Sequence, residues 1–442
     1  MSKRSMQSCG SASSLHEETP SQKVIEKMNI KYENAGVSGQ FKDFLKTVVT
    51  FTGDLSALTC PTFFLNGQSL LEYSTYWGDH PELFAAIAEP TDPAARMLAV
   101  TRWYMSTLYG SYASRCDKGQ SEKKPYNPVL GEKFLCTFDD VNGTGETVCI
   151  CEQVSHHPPS SAFYLENKKA GVSVNGHCWN GKGKIHNDGG SGQEIPIHPL
   201  PPTHPGGQKS KFKGTSIKVE QIGRATLHLL HPSETYIVTF PDLYIRSLFT
   251  GSPFLELSGT SSIVSSTGCV ASLEFVSKPW FKGEHHHIKG SVCNAAGKET
   301  HTITGRWNSV THFTAVGSGK QQLLFDAEAS PMAARVTAPV EQQDRLETHR
   351  LWGGVTAALR ERNYSAANAE KNRIEEGQRL EKKEREMKGE TWAPALFAFE
   401  ADKESENEEE ARMRKQAKAT SSVGGGLDIG GWLYKESMHL KQ

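Results

Sequence analysis

The sequence predicts an α+β protein that is mainly β, built on a large antiparallel β-barrel that is nearly closed. From Phe134 to about Leu324 it consists of short β-type runs separated by Gly, Asn, Ser and Pro, with no helical pattern between them. Apolar residues recur at helical spacing before this region, between residues 68 and 115, and again after about Arg345. A meander of about a dozen or more strands tends to close on itself, and its interior is wide enough to enclose a ligand.

Composition favours a neutral protein that neither binds nucleic acid nor spans a membrane. Lys and Arg number 49 and Asp and Glu number 50, so no global charge favours nucleic acid. No apolar run reaches the roughly 18 residues of a membrane span, so we expect membrane contact to be peripheral. Nine cysteines without a Cys-x-x-Cys pair suit a reducing compartment. We expect a cytoplasmic monomer in which Cys149 and Cys151 are core thiols.

The N-terminal region divides into a polar leader and an apolar strip. Residues 1–37 are polar and predicted to be flexible, with no apolar segment typical of a secretory signal. From Phe41 to Val49 apolar residues follow helical spacing, Thr52-Gly53-Asp54 breaks the helix, and Leu55-Ser56-Ala57-Leu58 continues the strip. Packing on the core would explain such a strip.

Further helices are predicted on both sides of the β region. Residues 72–77, 81–88 and 94–112 have helical patterns. A charged helix starts after Ser365 or Asn363 as cap and ends at Lys388, before Gly389.

Three charged side chains lie on one face of this last helix, at i, i+4 and i+8: Lys371, Glu375 and Arg379. A solvated row of salt bridges would explain them.

Three stretches depart from these patterns. His285-His286-His287 is strand-like, so alternation sends neighbouring side chains to opposite faces and a chelate is not expected. Residues 183–211 are rich in Gly and Pro and are not expected to form a central strand. The segment 401–442 is acidic, then basic, then Gly-rich, and is predicted to be a disordered tail.

The stretch from Glu152 to Pro159, Glu-Gln-Val-Ser-His-His-Pro-Pro, contains two adjacent histidines at a stiffened strand end. Partly protonated, His156 and His157 could bind an anion of phosphate size. They could also be ordinary surface histidines at a proline turn. A metal site is disfavoured because no third ligand stands at a usual spacing. Catalysis is disfavoured because no nucleophile or orienting acid is nearby.

This octapeptide matches, at all eight positions, the fingerprint of the oxysterol-binding-protein-related lipid-transfer family. Residues 122–132 match a second signature, and residues 96–104 resemble the family closely. The resemblance implies a single domain over residues 38–400, with an N-terminal lid helix over a lipid tunnel and 183–211 as an insertion. It also implies the short form found in fungi, without a pleckstrin-homology domain.

The resemblance also implies ligands and the residues that bind them. The headgroup of phosphatidylinositol 4-phosphate would lie at the tunnel mouth. His156, His157 and Arg379 would hold its 4-phosphate. The inositol ring and linking phosphate would be held by Lys124, Asn127, Lys371 and Glu375. The lid and the polar end of a sterol site would include Leu55, Ser56, Leu58, Trp77, Ser111, Tyr112 and Arg115. Ser111 stands where well-characterised sterol binders carry glutamine.

We therefore expect a non-enzymatic lipid-transfer protein that exchanges phosphatidylinositol 4-phosphate for a sterol such as ergosterol. Its membranes would be the Golgi, endoplasmic reticulum or plasma membrane. No cofactor, metal or nucleic acid is expected. The alternatives are a phosphoinositide-gated sensor and exchange of another lipid, such as phosphatidylserine.

Overall fold

The computed structural model of the chain describes residues 62–113, 124–156, 159–187, 190–195, 216–246, 254–278, 284–402, 407–422, 427 and 430–437. The predicted leader and lid, with Leu55, Ser56 and Leu58, lie outside these residues, as do Arg115 and His157.

Fifteen antiparallel strands form one sheet, the main element of the described part of the chain. The strands are β3 (Lys133–Phe138), β4 (Thr147–His156), β5 (Pro159–Asn167), β6 (Val172–Asn187), β7 (Gly190–Ile195), β8 (Ser216–Leu229), β9 (Glu234–Thr239), β10 (Asp242–Arg246), β11 (Phe254–Ser265), β12 (Val270–Val276), β13 (His287–Cys293), β14 (Glu299–Arg306), β15 (Val310–Ala315), β16 (Gln321–Asp326) and β17 (Arg335–Val336).

The order of the strands is β16-β15-β14-β13-β12-β11-β10-β8-β6-β5-β4-β3-β17, with β7 paired to β6 and β9 paired to β8 and β11. No pairing joins the end strands β16 and β17 within the described residues, so the sheet is nearly closed rather than closed. The remaining strands form two small sheets. One is a parallel pair of β1 (Leu65–Ser69) and β2 (Lys124–Tyr126). The other is an antiparallel pair of β18 (Phe397–Glu400) and β19 (Gly431–Tyr434).

Alternation along the strands sends one set of side chains into a common interior. In β12, Ala271, Leu273 and Phe275 are buried while Glu274 between them is exposed. The interior is filled from one side by helix α2 (Pro93–Leu108), whose buried residues include Met97, Val100 and Trp103. The predicted meander is therefore confirmed.

Helix α2 is held to the sheet by a buried ion pair. Asp92 caps it by accepting from the Ala95 N–H at 2.8 Å. Arg96 Nε donates to Glu234 Oε2 at 2.9 Å, and Tyr236 donates to the same carboxylate at 2.6 Å. Because both charges are buried and doubly bonded, the start of α2 has one position relative to the β8–β9 turn.

The other predicted helices are confirmed with small shifts of boundary. The first region forms a 3-10 helix (Leu70–Gly78), then α1 (Pro81–Ala85) extended by a 3-10 turn (Ala86–Ala88). A five-residue π-helix (Tyr109–Ala113) continues α2. After the sheet come α3 (Thr348–Leu351), α4 (Gly353–Arg360) and α5 (Tyr364–Lys388).

The ends of α5 are as predicted, with Asn363 as the cap. Asn363 accepts from the Ala366 N–H at 3.0 Å, and Gly389 follows the helix in the left-handed conformation at φ 66°.

The expectation of a disordered tail is wrong for residues 407–422 and 430–437. Helix α6 (Glu408–Thr420) buries Met413 and Ala417 against Ile237 and Val264 of the sheet. Strand β19 pairs with β18. The tail folds because two apolar side chains at i and i+4 pack on apolar residues of the sheet. Two such residues are too weak a signal to stand out among the charges of the tail.

A buried charge cluster attaches this tail to the sheet. Asp402 accepts from Arg224 of β8 at 2.7 and 2.8 Å, and Arg414 of α6 lies 3.2 Å from the same carboxylate. Asp402 also accepts from the Gly430 N–H at 3.0 Å. One carboxylate thus joins β8, α6 and the segment before β19.

Two further expectations are corrected by the sheet. Residues 183–187 belong to β6 and lie between β7 and β8, so part of the Gly/Pro-rich stretch is a central strand. His285 and His286 do not point to opposite faces. They precede β13, His286 has φ 68°, and both contact the Glu256 carboxylate.

Among the described residues, none of the helices combines the length and apolar character required to span a bilayer.

The charge cluster of the tail predicts a specific stability loss. Asp402→Ala leaves Arg224 buried without its carboxylate, which should lower the free energy of unfolding by about 3 kcal/mol or more. Glu370→Ala, which breaks the exposed pair with Arg373 (2.9 Å), is the control and should cost less than about 1 kcal/mol. Urea unfolding measures both. Equal losses would show that the tail is not attached through Asp402.

Candidate functional site

The loop after β2 is organised by the carboxylate of Glu132, which is completely buried. This carboxylate accepts from the Val129 N–H at 3.0 Å, from Thr348 Oγ1 at 2.9 Å and from Trp352 Nε1 at 3.0 Å. Burial raises the pKa of Glu132, and these donors oppose the rise. The carboxylate therefore ties the loop to helices α3 and α4.

Apolar packing extends the connection from this loop to α5. Tyr126 stacks on Trp352 with ring centroids 4.6 Å apart, and its hydroxyl lies 2.9 Å from Thr356 Oγ1. The same buried cluster includes Ala367 and Ile374 of α5. Tyr126 lies between the predicted headgroup residues of the loop, and Ile374 lies between those of the helix. Both predicted parts of the headgroup site thus lie on elements that share one core.

The predicted headgroup residues are paired with one another on each element. Lys124 Nζ donates to Asn127 Oδ1 at 2.9 Å. Lys371 Nζ donates to Glu375 Oε1 at 2.5 Å, and Arg379 Nη2 lies 3.7 Å from Glu375 Oε2. The row on α5 is therefore a series of ion pairs. These ion pairs are not fully exposed to solvent, because Lys371 is only 8% exposed.

The first residue of the octapeptide has a structural role that sequence reasoning missed. Glu152 is fully buried, and its carboxylate accepts from three successive backbone N–H groups: Ala395 (2.7 Å), Leu396 (2.8 Å) and Phe397 (3.3 Å). Burial raises the pKa of Glu152, while the three N–H groups oppose the rise. Nothing local signals these partners, which lie more than two hundred positions away in the chain.

Gln153, the second residue, shapes the strand end that carries the histidines. Its amide donates to the Ser155 carbonyl at 2.8 Å and accepts from the Ser161 hydroxyl at 2.7 Å. The register between β4 and β5 shifts between Gln153 and Ser155, which is a β-bulge. β4 then ends at His156, as the prolines predict, and His156 is exposed opposite Pro159.

Two backbone bonds join the octapeptide to the loop after β2. The Gly131 N–H donates to the Gln153 carbonyl at 3.0 Å, and the Gln153 N–H donates to the Glu132 carbonyl at 2.9 Å. The elements that carry Lys124, Asn127 and His156 are thus connected by backbone hydrogen bonds.

Two of the predicted sterol residues lie in or against the interior cluster. Trp77 stacks on Phe163 with centroids 5.0 Å apart and also packs against Trp103 and Phe240. Tyr112 donates to Gln221 Oε1 at 2.7 Å, and the Gln221 amide donates to the Pro241 carbonyl at 2.7 Å. Gln221 was not predicted, because it is one of several polar residues on β8 and nothing in the sequence distinguishes it from the others.

Ser111 is half-buried in the π-helix beside Tyr112. This helix packs closely on a buried acid, Asp79. A Cβ atom on Gly110 would lie 2.2 Å from Asp79 Oδ2, so only glycine fits there. Asp79 Oδ2 has no hydrogen-bond partner within the described residues.

The oxysterol-binding protein family model matches residues 42–183 and 206–421. The chain belongs to the oxysterol-binding protein family. Residues 184–205, between the two matched stretches, fall within the predicted insertion. Protein KES1 of Mycosarcoma maydis is 37% identical over 352 residues, which cover 78% of this chain and 84% of that protein. Protein kes1 of Schizosaccharomyces pombe is 37% identical over 84% of this chain and 90% of its own length.

Solved structures of the family show the same fold. The Osh1 ORD domain in complex with ergosterol has a TM-score of 0.63 at 20% identity, covering 95% of this chain and 96% of that one. The Osh3 ORD of Saccharomyces cerevisiae in complex with PI(4)P has a TM-score of 0.56 at 20% identity, covering 87% and 95%. The predicted fold class and family are confirmed.

The buried acid beside the π-helix predicts a pH dependence. Burial raises the pKa of Asp79 to about 7, and Arg335 lowers it only in part. Between about pH 4 and pH 7 the folded protein keeps a proton that the unfolded chain has released. The free energy of unfolding should therefore fall as the pH rises from about 4 to about 7, by up to about 1.4 kcal/mol per pH unit.

Asp79→Asn should make this fall shallower without abolishing it, because the buried carboxyls of Glu132 and Glu152 also have raised pKa values. Asp139→Asn, at an exposed carboxyl, should leave the fall unchanged. Urea unfolding at several pH values measures the three proteins. Parallel stability curves for Asp79→Asn and the parent would contradict the assignment.

Proposed function

We propose that this family member binds phosphatidylinositol 4-phosphate and a sterol and exchanges them between membranes. The observation that supports this most strongly is the shared core of the β2 loop and α5. It holds the amine of Lys124 and the ion-pair row of α5 on adjoining elements. The headgroup site would consist of seven residues: Lys124, Asn127, His156, His157, Lys371, Glu375 and Arg379.

The internal pairs of the site suit exchange of a charged headgroup. A phosphate offers oxygens that can replace the Glu375 and Asn127 oxygens as partners of the Lys371 and Lys124 amines. Glu375, once released, can accept hydrogen bonds from inositol hydroxyls. In the empty protein the amines remain paired, so the site does not hold uncompensated charge between binding events.

The 4-phosphate is assigned to His156, His157 and Arg379. Arg379 is exposed and lies at the far end of the α5 row, with its guanidinium 3.7 Å from Glu375. Its planar fork can bind two phosphate oxygens together. Imidazole N–H groups of the two histidines would add further hydrogen bonds to the phosphate oxygens.

The sterol part of the proposal is supported by the interior. Trp77 packs against Trp103, Phe163 and Phe240, and such an apolar aromatic cluster suits contact with a rigid hydrocarbon. Tyr112 and Gln221 provide polar groups beside it. One related structure is described with ergosterol and another with PI(4)P. Residues 38–58, with Leu55, Ser56 and Leu58, would form the lid, and Arg115 would complete the sterol site.

We infer that the protein acts as a peripheral, cytoplasmic monomer on endomembranes such as the Golgi, endoplasmic reticulum and plasma membrane. Transfer between liposomes tests exchange directly. A protein that binds both lipids without transferring either would be a sensor rather than a carrier.

The headgroup assignment predicts a loss of phosphoinositide binding. The double variant His156→Ala with His157→Ala should weaken extraction of phosphatidylinositol 4-phosphate from liposomes at least tenfold. The reason is that two charge-assisted bonds of about 1.5–3 kcal/mol each are lost. The control is His287→Ala, an exposed histidine near the start of β13. Equal extraction by the double variant and the parent would rule out the assignment.

The sterol assignment predicts a gain from Ser111→Gln. The longer amide can reach a sterol hydroxyl that serine reaches only through a bridging water. Sterol affinity should increase by about 1 kcal/mol, the net value of a typical hydrogen bond. Phosphoinositide binding should not change. Titration with a fluorescent sterol measures the difference. If neither protein binds sterol while both extract phosphoinositide, the exchange partner is another lipid, such as phosphatidylserine.

A further inference from the structure

An unsatisfied indole lies in the interior where β14 turns into β15. Trp307 is 1% exposed, and its Nε1 has no hydrogen-bond partner among the residues that the structure describes. Indole N–H is a donor only, and a buried donor without a partner costs about 1–3 kcal/mol. Such a group in a binding protein points to a ligand atom that completes it.

Two other buried indoles in the described chain are satisfied. Trp103 Nε1 donates to the Trp77 carbonyl at 3.1 Å, and Trp352 Nε1 donates to Glu132 Oε2 at 3.0 Å. Trp307 differs from both because its indole N–H has no acceptor among the described residues. The fold therefore supplies an acceptor to some buried indoles and not to this one.

The unsatisfied indole is close to the predicted polar end of the sterol site. Its ring packs edge-on against Tyr112, with centroids 6.3 Å apart and planes at 87°. Tyr112 donates its only hydroxyl proton to Gln221. Toward a ligand, Tyr112 can therefore act only as an acceptor. A ligand hydroxyl that donates its proton to Tyr112 still needs a hydrogen-bond donor for its own oxygen. The indole N–H of the neighbouring Trp307 can be that donor.

Neighbouring groups hold the Trp307 ring in place. The Trp307 N–H of the backbone donates to the His286 carbonyl at 3.0 Å, and the two rings pack edge-on with centroids 5.0 Å apart. His286 is in turn fixed because its backbone N–H donates to the buried Glu256 carboxylate at 2.8 Å. A donor that is fixed in this way loses little entropy on binding, which favours selectivity.

We propose that the indole N–H of Trp307 donates to the hydroxyl oxygen of the cargo, an uncharged lipid with a single hydroxyl on a rigid apolar body. This inference rests on the proposed sterol function and assigns to it a specificity-determining residue. It also explains how a site with Ser111 in place of glutamine can still recognise a sterol hydroxyl.

The test compares a 3-hydroxysterol with its 3-deoxy analogue on the full chain. Trp307→Phe keeps an aromatic ring and removes the N–H. It should weaken binding of the hydroxysterol about tenfold, the effect of about 1.4 kcal/mol. Affinity for the deoxy analogue should stay within about twofold of the parent, since the lost donor has no partner on that molecule. Extraction of phosphatidylinositol 4-phosphate should be unchanged, which shows that the variant is folded.

Trp352→Phe is the matched control, because it removes a buried indole N–H that already has a protein acceptor, Glu132 Oε2 at 3.0 Å, and it lies in a cluster separate from the interior aromatic residues. It should lower the melting temperature and leave the preference for the hydroxysterol over its deoxy analogue as in the parent.

Three outcomes contradict the proposal in distinguishable ways. If Trp307→Phe retains the parent's preference for the hydroxysterol, or weakens both sterols equally, the N–H does not bind the hydroxyl and the inference alone is overturned. If the parent binds neither sterol but extracts phosphoinositide, the sterol function is wrong and the inference with it.

Should Trp307→Phe fail to fold, the parent labelled with nitrogen-15 in its indoles gives the same test. The Trp307 N–H resonance should move downfield with the hydroxysterol and not with the deoxy analogue. A resonance that stays unmoved with a bound hydroxysterol overturns the proposal.

Discussion

The buried carboxylate of Glu132 constrains the candidate headgroup site more than any other group. A carboxylate without exposure to water is stable only if its oxygens are bonded, and here the donors come from the loop itself, from α3 and from Trp352 before α4. These elements can therefore pack together in only one way. The stacking of Tyr126 on Trp352 then fixes β2 against the core that α5 shares. Lys124 and Lys371 therefore lie on adjoining elements because Glu132 and the core around Trp352 hold these elements together.

The octapeptide is likewise positioned by buried hydrogen bonds. Its first two residues form hydrogen bonds with other parts of the protein. Glu152 holds the backbone of residues 395–397, and Gln153 stabilises the bulge. Only after these two positions does the strand reach the exposed His156. Much of a fingerprint that suggests phosphate binding thus acts by placing the strand end, since two imidazoles on a mobile loop would hold an anion poorly.

The interior combines an apolar wall with a few fixed polar groups. In the proposed sterol site, Trp77, Phe163 and Phe240 would supply affinity through buried apolar area but little discrimination. Tyr112, Gln221 and Trp307 would supply selectivity, because each can donate or accept only a limited number of hydrogen bonds. Asp79 beneath the π-helix adds a dependence on protonation, since its neutral form fits the buried position better than its charged form.

Features that depend on neighbours in sequence were determined by the sequence alone. The meander, both ends of α5 and the end of β4 at the prolines follow from periodicity, capping and the geometry of Pro and Gly. The family follows from a contiguous octapeptide, which needs no knowledge of contacts.

Tertiary structure alone decided the partners of the buried charges and the fate of the tail. Glu132 meets Thr348, Glu152 meets Ala395, and Arg224 meets Asp402 across more than one hundred and seventy positions each. Hydrogen bonds over such separations leave no periodic trace. Whether α6 packs depends on apolar residues that other strands supply. Whether the Trp307 indole N–H has an acceptor among the described residues depends on which groups the fold places around it.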